Sequence, residues 1–248
     1  FIIAPMVHWP EVMMEYEEKE KILFSADGFG KFGTLDTDED WDCEARRYYF
    51  NIVGKYGMQV QAVLKKASKL DIKTICPLHG PILRENLEHY INKYDIWSKY
   101  ETESEGVYIA CASIHGNTLK VCEKLKEILE EKGAEKVVLA DLSREDWAEA
   151  VEDSFRYGKI VFASATYDMG IFTPMRELLL NLKEKNYQNK KVAIIENGTW
   201  APNAARCMKE IIATMKNVEI VEPVVTIKST LKEENIEKLN ELAENLLK

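Results

Sequence analysis

No apolar run in this chain of 248 residues approaches the roughly 20 residues that a membrane-spanning helix needs. No basic-then-apolar leader opens it either. A net charge of −9, spread over both halves, argues against nucleic acid or an anionic membrane surface as a main partner. The five cysteines (Cys43, Cys76, Cys111, Cys122, Cys207) are odd in number, scattered and without Cys-x-x-Cys spacing. That is the usage of a reducing cytoplasm, with thiols serving as small buried apolar groups. There is no internal repeat and no low-complexity tract. An initiating Met is also missing: the chain opens on Phe1 in strand-like surroundings and reads as the continuation of something longer. What it does have is 46% apolar residues, enough for a sizeable core in one large domain or two of ordinary size.

From Gly106 onward, apolar β-branched runs alternate with amphipathic ones. Strands are expected at 106–112, 136–141, 158–164, 190–196 and 223–228, and helices at 117–132, 145–156, 173–185, 203–216 and 232–247. Five such units predict an α/β domain over 104–248, with a five-stranded parallel sheet of order 2-1-3-4-5 covered on both faces. Residues 1–103 read differently. Strands at 1–4, 21–26 and 72–76 mix with helices near 41–53, 57–70 and 84–99, which suits part of an α/β layer whose other strands are absent. The polar, charged stretch 100–105 marks the expected boundary.

Three loops at the carboxyl ends of the expected strands carry the chemistry. The first, Cys111-Ala112-Ser113-Ile114-His115-Gly116-Asn117-Thr118, runs from a strand into a helix N-terminus. Unpaired backbone N–H groups and the helix dipole there favour an anion. Ser113 and Thr118 add hydroxyls, and Gly116 permits close approach. The Lys of a Walker loop is missing, which disfavours a nucleoside triphosphate and leaves a single phosphate monoester, as in FMN. The second loop, Ser164-Ala165-Thr166-Tyr167-Asp168-Met169-Gly170-Ile171-Phe172, and the third, Asn197-Gly198-Thr199-Trp200-Ala201-Pro202, carry large aromatics, Tyr167 in one and Trp200 in the other, among small residues. A flat tricyclic ring calls for aromatic faces and backbone donors. Asn197-Gly198-Thr199 also matches a glycosylation sequon, a coincidence in a chain without a secretory signal.

In the first hundred residues His8, Asp27 and His79 each follow a strand, and two imidazoles with a carboxylate suit first-row transition metals. His89 falls in a helix pattern, as a surface or interface residue, and the nearby Glu11 and Glu15 lack ligand spacing. Gly28-Phe29-Gly30-Lys31-Phe32-Gly33 spells G-x-G-x-x-G, yet no amphipathic helix follows to receive a pyrophosphate. Asp36, Asp38 and Asp40 echo a calcium loop, but Trp41 stands at the turn glycine and Arg47 at the terminal Glu.

On these segments, residues 106–248 resemble a flavodoxin-type domain. The whole chain resembles the C-terminal part of the flavodiiron proteins (A-type flavoproteins), which join a metallo-β-lactamase-like diiron domain to a flavodoxin-like one. The resemblance implies that residues 1–103 are a partial metallo-β-lactamase-like region. In it, His8 and His79 match the third and last His ligands and Asp27 the bridging carboxylate. The family's other ligands, in a His-x-Glu-x-Asp-His motif and a further segment, have no counterpart here. A diiron centre is therefore expected only if missing ligands complete it. The resemblance further implies FMN, a rubredoxin-like or reductase electron donor, a head-to-tail homodimer, and a separate N-terminal β-lactamase-like chain or upstream segment. Ala165 stands where the family commonly has Pro, and Glu11 where it has Asp. Three readings follow: an FMN-binding electron-transfer flavoprotein, a component of an O2 or NO reductase, and a non-catalytic dimerisation module.

Overall fold

The computed structural model describes residues 1–248. The chain divides into two compact units, Phe1–Glu103 and Ser104–Lys248.

The first unit holds β1 (Ile2–Ile3), β2 (Met13–Glu17), β3 (Ile22–Phe24), α1 (Trp41–Tyr48), α2 (Gly57–Ala67), β4 (Thr74–Cys76) and α3 (Leu87–Lys99). The four strands form one sheet in the order β1-β2-β3-β4. β2 was not expected, although Met14 and Tyr16 alternate with Glu15 and Glu17 as a half-buried strand should. It pairs antiparallel with both β1 and β3, while β3 and β4 are parallel. β1, β3 and β4 therefore all run the same way. Met14, Leu23 and Ile75 are buried on one face; on the other, Ile3, Met13 and Phe24 stand exposed. A π-helical turn over Tyr49–Val53 and a 3-10 turn over Gly54–Tyr56 join α1 to α2.

Beneath these helices lies a charged cluster. Glu103 Oε1 accepts from Arg46 Nη1 at 2.9 Å and from Lys93 Nζ at 2.7 Å, and its Oε2 accepts from the Trp97 indole at 2.6 Å. Arg46 and Glu103 are only 2% and 3% exposed. Lys93 also reaches Asp42 at 2.8 Å, and His89 Nε2 lies 2.6 Å from the same carboxylate. The expected boundary stretch 100–105 thus contains an anchor: its polar composition reflects a buried ion pair as well as solvent.

Burial works against the Asp42 carboxylate, but hydrogen bonds from Lys93 and His89 outweigh it and hold its pKa below the ordinary 3.8. Burial likewise works against the Lys93 ammonium, and Asp42 and Glu103 outweigh it, raising the value above 10.5. A lowered carboxylate stabilises above its unfolded pKa and loses that contribution as pH falls through the folded value; a raised amine does so as pH rises through its own. Followed by tryptophan fluorescence, the thermal midpoint of this unit is expected to be flat from about pH 5 to pH 9 and to fall on either side. Asp42→Asn should shallow the acid limb; an unchanged limb would refute the assignment.

The second unit comprises β5 (Ser104–Ala112), α4 (Asn117–Glu131), β6 (Val137–Asp141), α5 (Trp147–Arg156), β7 (Tyr157–Tyr167), β8 (Gly170–Ile171), α6 (Thr173–Glu184), β9 (Gln188–Asn197), α7 (Ala204–Ile212), β10 (Lys216–Ile227) and α8 (Glu233–Leu247). Five strands pair in parallel in the order β10-β9-β7-β5-β6, which is 2-1-3-4-5 in chain order and flavodoxin-like. Their central residues are buried on both faces, which is why they read as continuous apolar runs. On one face Val107, Ile109, Val161 and Ile195 pack with Val121 and Leu125 of α4 and Leu239 and Leu242 of α8. Two elements depart from expectation. β8 folds back antiparallel on β7, so the second loop is a hairpin whose turn residues, Asp168 and Met169, both have positive φ. β10 begins seven residues before the expected 223. Pro223 lacks an N–H and masked the strand, and it is accommodated at a register shift between Val221 and Val225 on the sheet edge.

Candidate functional site

The parallel order brings the ends of β5, β7 and β9 together. There a cavity of about 350 Å³ is lined by Ser113, Ile114, His115, Asn117, Thr118, Thr166, Asp168, Asn197, Gly198, Thr199, Trp200 and Ala201, all anticipated from sequence. Ala165, Met169 and Ser229 also line it and were not anticipated as site residues. Ser229 comes from the loop after β10. Its N–H donates to Asn197 Oδ1 at 3.1 Å and its carbonyl accepts from Asn197 Nδ2 at 2.9 Å, a pairing that no local pattern encodes.

Four anticipated residues stand elsewhere. Gly116 lies behind the cavity wall as the left-handed cap of α4, with φ 85°. Ser164 is buried, its hydroxyl donating to the Ala165 carbonyl at 3.0 Å. Tyr167 and Gly170 line a neighbouring cavity of about 390 Å³ with Cys207 and Arg176, and Tyr167 packs edge-on against Phe172.

The start of α4 is chemically open. Gly116 N–H donates to Ser113 Oγ at 3.0 Å, which leaves the Ser113 hydrogen to be donated onward. The first helical bond runs from Lys120 N–H to the Gly116 carbonyl, and no side chain caps the amides of Asn117, Thr118 and Leu119. Three amides at the positive end of a 15-residue helix, beside the Ser113 and Thr118 hydroxyls, can donate to a phosphate-sized anion. Across the cavity Trp200 is 90% exposed, with Ile114 and Met169 also exposed at the rim. These four-walled surroundings offer an anion seat at one end and apolar area at the other.

In the first unit the common direction of β1, β3 and β4 delivers the residues that follow them to one edge, which gathers His8, Asp27 and His79. Asp27 Oδ2 lies 3.3 Å from His8 Nε2 and Oδ1 lies 3.6 Å from His79 Nε2, one carboxylate oxygen to each imidazole. Two ligands bonded to one ion at about 2.1 Å stand about 3–3.5 Å apart; the His8 spacing falls within that range and the His79 spacing just beyond it. His79 Nδ1 donates to the Lys31 carbonyl at 3.0 Å, which fixes the tautomer that leaves Nε2 its lone pair. No group of three or more His, Cys, Asp or Glu side chains in the chain is placed to hold a metal by itself. Tyr48 stacks edge-on at 4.5 Å from the His79 ring, and burial, with the Asp27 charge adding to it, holds its phenol well above the usual range.

The rejected glycine motif has its explanation here. A Cβ on Gly30 would sit 2.4 Å from His79 Cε1, so Gly30 is the floor on which the imidazole lies. Gly30→Ala is expected to displace His79 and to destabilise the first unit by about 1–3 kcal/mol through overpacking, measurable by denaturant titration. His89, by contrast, is held by Asp42 in the charged cluster.

No protein-family model matches the chain. Among curated proteins, a nitric oxide reductase of Moorella thermoacetica is 27% identical over 259 residues, covering 99% of this chain and 63% of that one. Among solved structures, the rubredoxin oxygen:oxidoreductase of Desulfovibrio gigas has a TM-score of 0.89 at 23% identity, over 98% of this chain and 63% of its own, a likeness of fold. A flavo di-iron protein variant from Thermotoga maritima matches with a TM-score of 0.84 at 25% identity, over 99% of this chain and 62% of its own. The chain spans less than two thirds of the length of each. No helix is long and apolar enough to cross a membrane.

Proposed function

We infer that this chain, whose homologues and structural neighbours are flavodiiron proteins matched in keeping with their C-terminal part, is the FMN-binding electron-transfer portion of such an oxidoreductase. The observation that carries the reading is the uncapped start of α4 opening into the cavity at the ends of β5, β7 and β9. The amides of residues 117–119 and the hydroxyls of Ser113 and Thr118 hold the phosphate. Thr199 presents the third loop's polar edge, Asn197 and Gly198 brace that loop through Ser229 and Ile227, and Trp200 supplies a face for the ring. Ile114 and Met169 exclude water from the rim. Bound FMN would supply one- or two-electron transfer, taking electrons from a rubredoxin-like or reductase donor.

The test is titration of flavin-free protein with FMN, read by quenching of flavin fluorescence. One FMN per chain is expected. Ser113→Ala with Thr118→Ala should weaken binding at least tenfold, since a hydrogen bond to a charged group is worth about 1.5–3 kcal/mol. Unchanged affinity would remove the phosphate assignment.

A second reading is favoured by the Asp27 geometry. His8, Asp27 and His79 would be three ligands of a metal centre that reduces O2 or NO, once the remaining ligands arrive from an N-terminal half. The exposed apolar face of Ile3, Met13 and Phe24 supports it, because a further β layer would cover that face. In a head-to-tail homodimer the flavin of one copy would serve the metal of the other. Iron content measured with and without a co-expressed N-terminal half tests this: iron retained only in the pair supports it, and none in either sinks it.

A further inference from the structure

Two helices begin beside the cavity, and their N-termini are treated differently. At α4 the first amides are open. At α7 they are filled by side chains from two strands: the N–H groups of Asn203 and Ala204 donate to Thr166 Oγ1 at 3.0 and 3.2 Å, and that of Ala205 donates to Glu196 Oε2 at 2.9 Å. The other Glu196 oxygen accepts from Thr226 Oγ1 on β10 at 2.8 Å. Glu196 is 7% exposed and does not line the cavity. Its bond to Ala205 spans the whole 197–204 segment, so the carboxylate closes this loop with a chord across its base. Within that chord, Asn197 is tied to Ser229 and Gly198 N–H to the Ile227 carbonyl at 3.0 Å, leaving Trp200 at the apex.

We infer that Glu196 is a positioning residue for the flavin pocket: its buried carboxylate, bridging α7 and β10, holds the Trp200 loop at the cavity mouth. This rests on the flavin reading given above. A carboxylate suits the task because it accepts two bonds in different directions and because the positive end of α7 stabilises its charge. By occupying that helix end, Glu196 also leaves α4 as the N-terminus at the cavity open to an external anion.

The experiment compares wild type, Glu196→Ala, Glu196→Gln and Thr226→Val in the full chain, by hydrogen exchange without flavin and by FMN titration. In Glu196→Ala, amides of 197–205 should exchange at least tenfold faster while α4 and α8 keep wild-type rates, and the FMN Kd should rise at least tenfold. Gln can accept from Ala205 and donate to Thr226, so Glu196→Gln should stay within about threefold on both readouts. Thr226→Val removes one bond of the two and should fall between; it carries the test if Glu196→Ala does not fold. Wild-type exchange and affinity in Glu196→Ala or, where that variant does not fold, in Thr226→Val would overturn the proposal. So would a Gln variant as impaired as the Ala variant. A wild-type chain that binds no FMN would instead refute the flavin reading, and the exchange data, which need no flavin, would still decide whether Glu196 holds the loop.

Discussion

Glu103→Ala is expected to unfold the first unit at far lower denaturant than wild type. The substitution deprives Arg46, Lys93 and the Trp97 indole of an acceptor at 2.6–2.9 Å. Lys93 loses one of its two carboxylates, and Arg46, 2% exposed, loses the one at 2.9 Å. Removing one partner of a buried ion pair costs about 3–5 kcal/mol, because the remaining charge stays desolvated. That is a large share of the roughly 5–15 kcal/mol that stabilises a typical domain. Glu103→Gln, which can still accept from the indole, should fall between the two. The measurement is urea denaturation followed by tryptophan fluorescence; a loss under about 1 kcal/mol in the Ala variant would show that water reaches this site. The pair is not itself a gain over a hydrophobic replacement of the same shape. Its expected signature is the asymmetry, with the single substitution severe and Arg46→Met combined with Glu103→Gln, which keeps an acceptor for the Trp97 indole, milder.

Gly198→Ala is expected to weaken FMN binding at least tenfold. A Cβ there would stand 2.7 Å from Pro202 Cα and 3.0 Å from Pro202 Cβ, and neither atom belongs to a flexible side chain. The turn carrying Trp200 must open to admit it. Overpacking of this kind costs about 1–3 kcal/mol, and the loop yields before the sheet does. Gly116→Ala is the informative comparison. Gly116 has φ 85° with nothing within 4 Å of the added carbon, so only left-handed strain applies, about 1–2 kcal/mol of stability. Isothermal titration with FMN and thermal unfolding of both variants separate the effects. A Gly198→Ala chain with wild-type affinity would show that the loop does not form a wall of the flavin site.

Much of this was readable beforehand, and the exceptions have physical causes. The five parallel strands announced themselves because strands buried on both faces are apolar throughout, and twelve cavity residues followed from their topological slots. Ser229 and Glu196 could not be read the same way: each acts through a partner about thirty residues away in sequence, Asn197 and Thr226. Tyr167 looked equivalent to Trp200, but the turn at Asp168 and Met169 directs it to the neighbouring cavity. Positive φ at a Met leaves no mark in a sequence. Glu103 sat in a stretch whose charge suggested solvent, and only its neighbours Arg46 and Lys93 reveal that it is buried. His8, Asp27 and His79 were recognised through a family likeness. Their convergence depends on β2, the strand left out, because its reversal is what makes β1 run with β3 and β4.

The interruption of β10 at Pro223 bears on how this molecule behaves in a crowded solution. β10 is an outer strand of its sheet and, at 12 residues, the longest in the chain. A long outer strand offers a row of free amides and carbonyls to any extended peptide that meets it, and fibrils and mispaired aggregates grow from such rows. Pro223 removes one donor from the row and the shifted register beside it kinks the line, so a stranger's strand cannot zip along the full length. The opposite margin, β6, is five residues long and ends in Asp141, too short to recruit a neighbour along a long row. Both flanks of the sheet are thereby guarded against polymerisation.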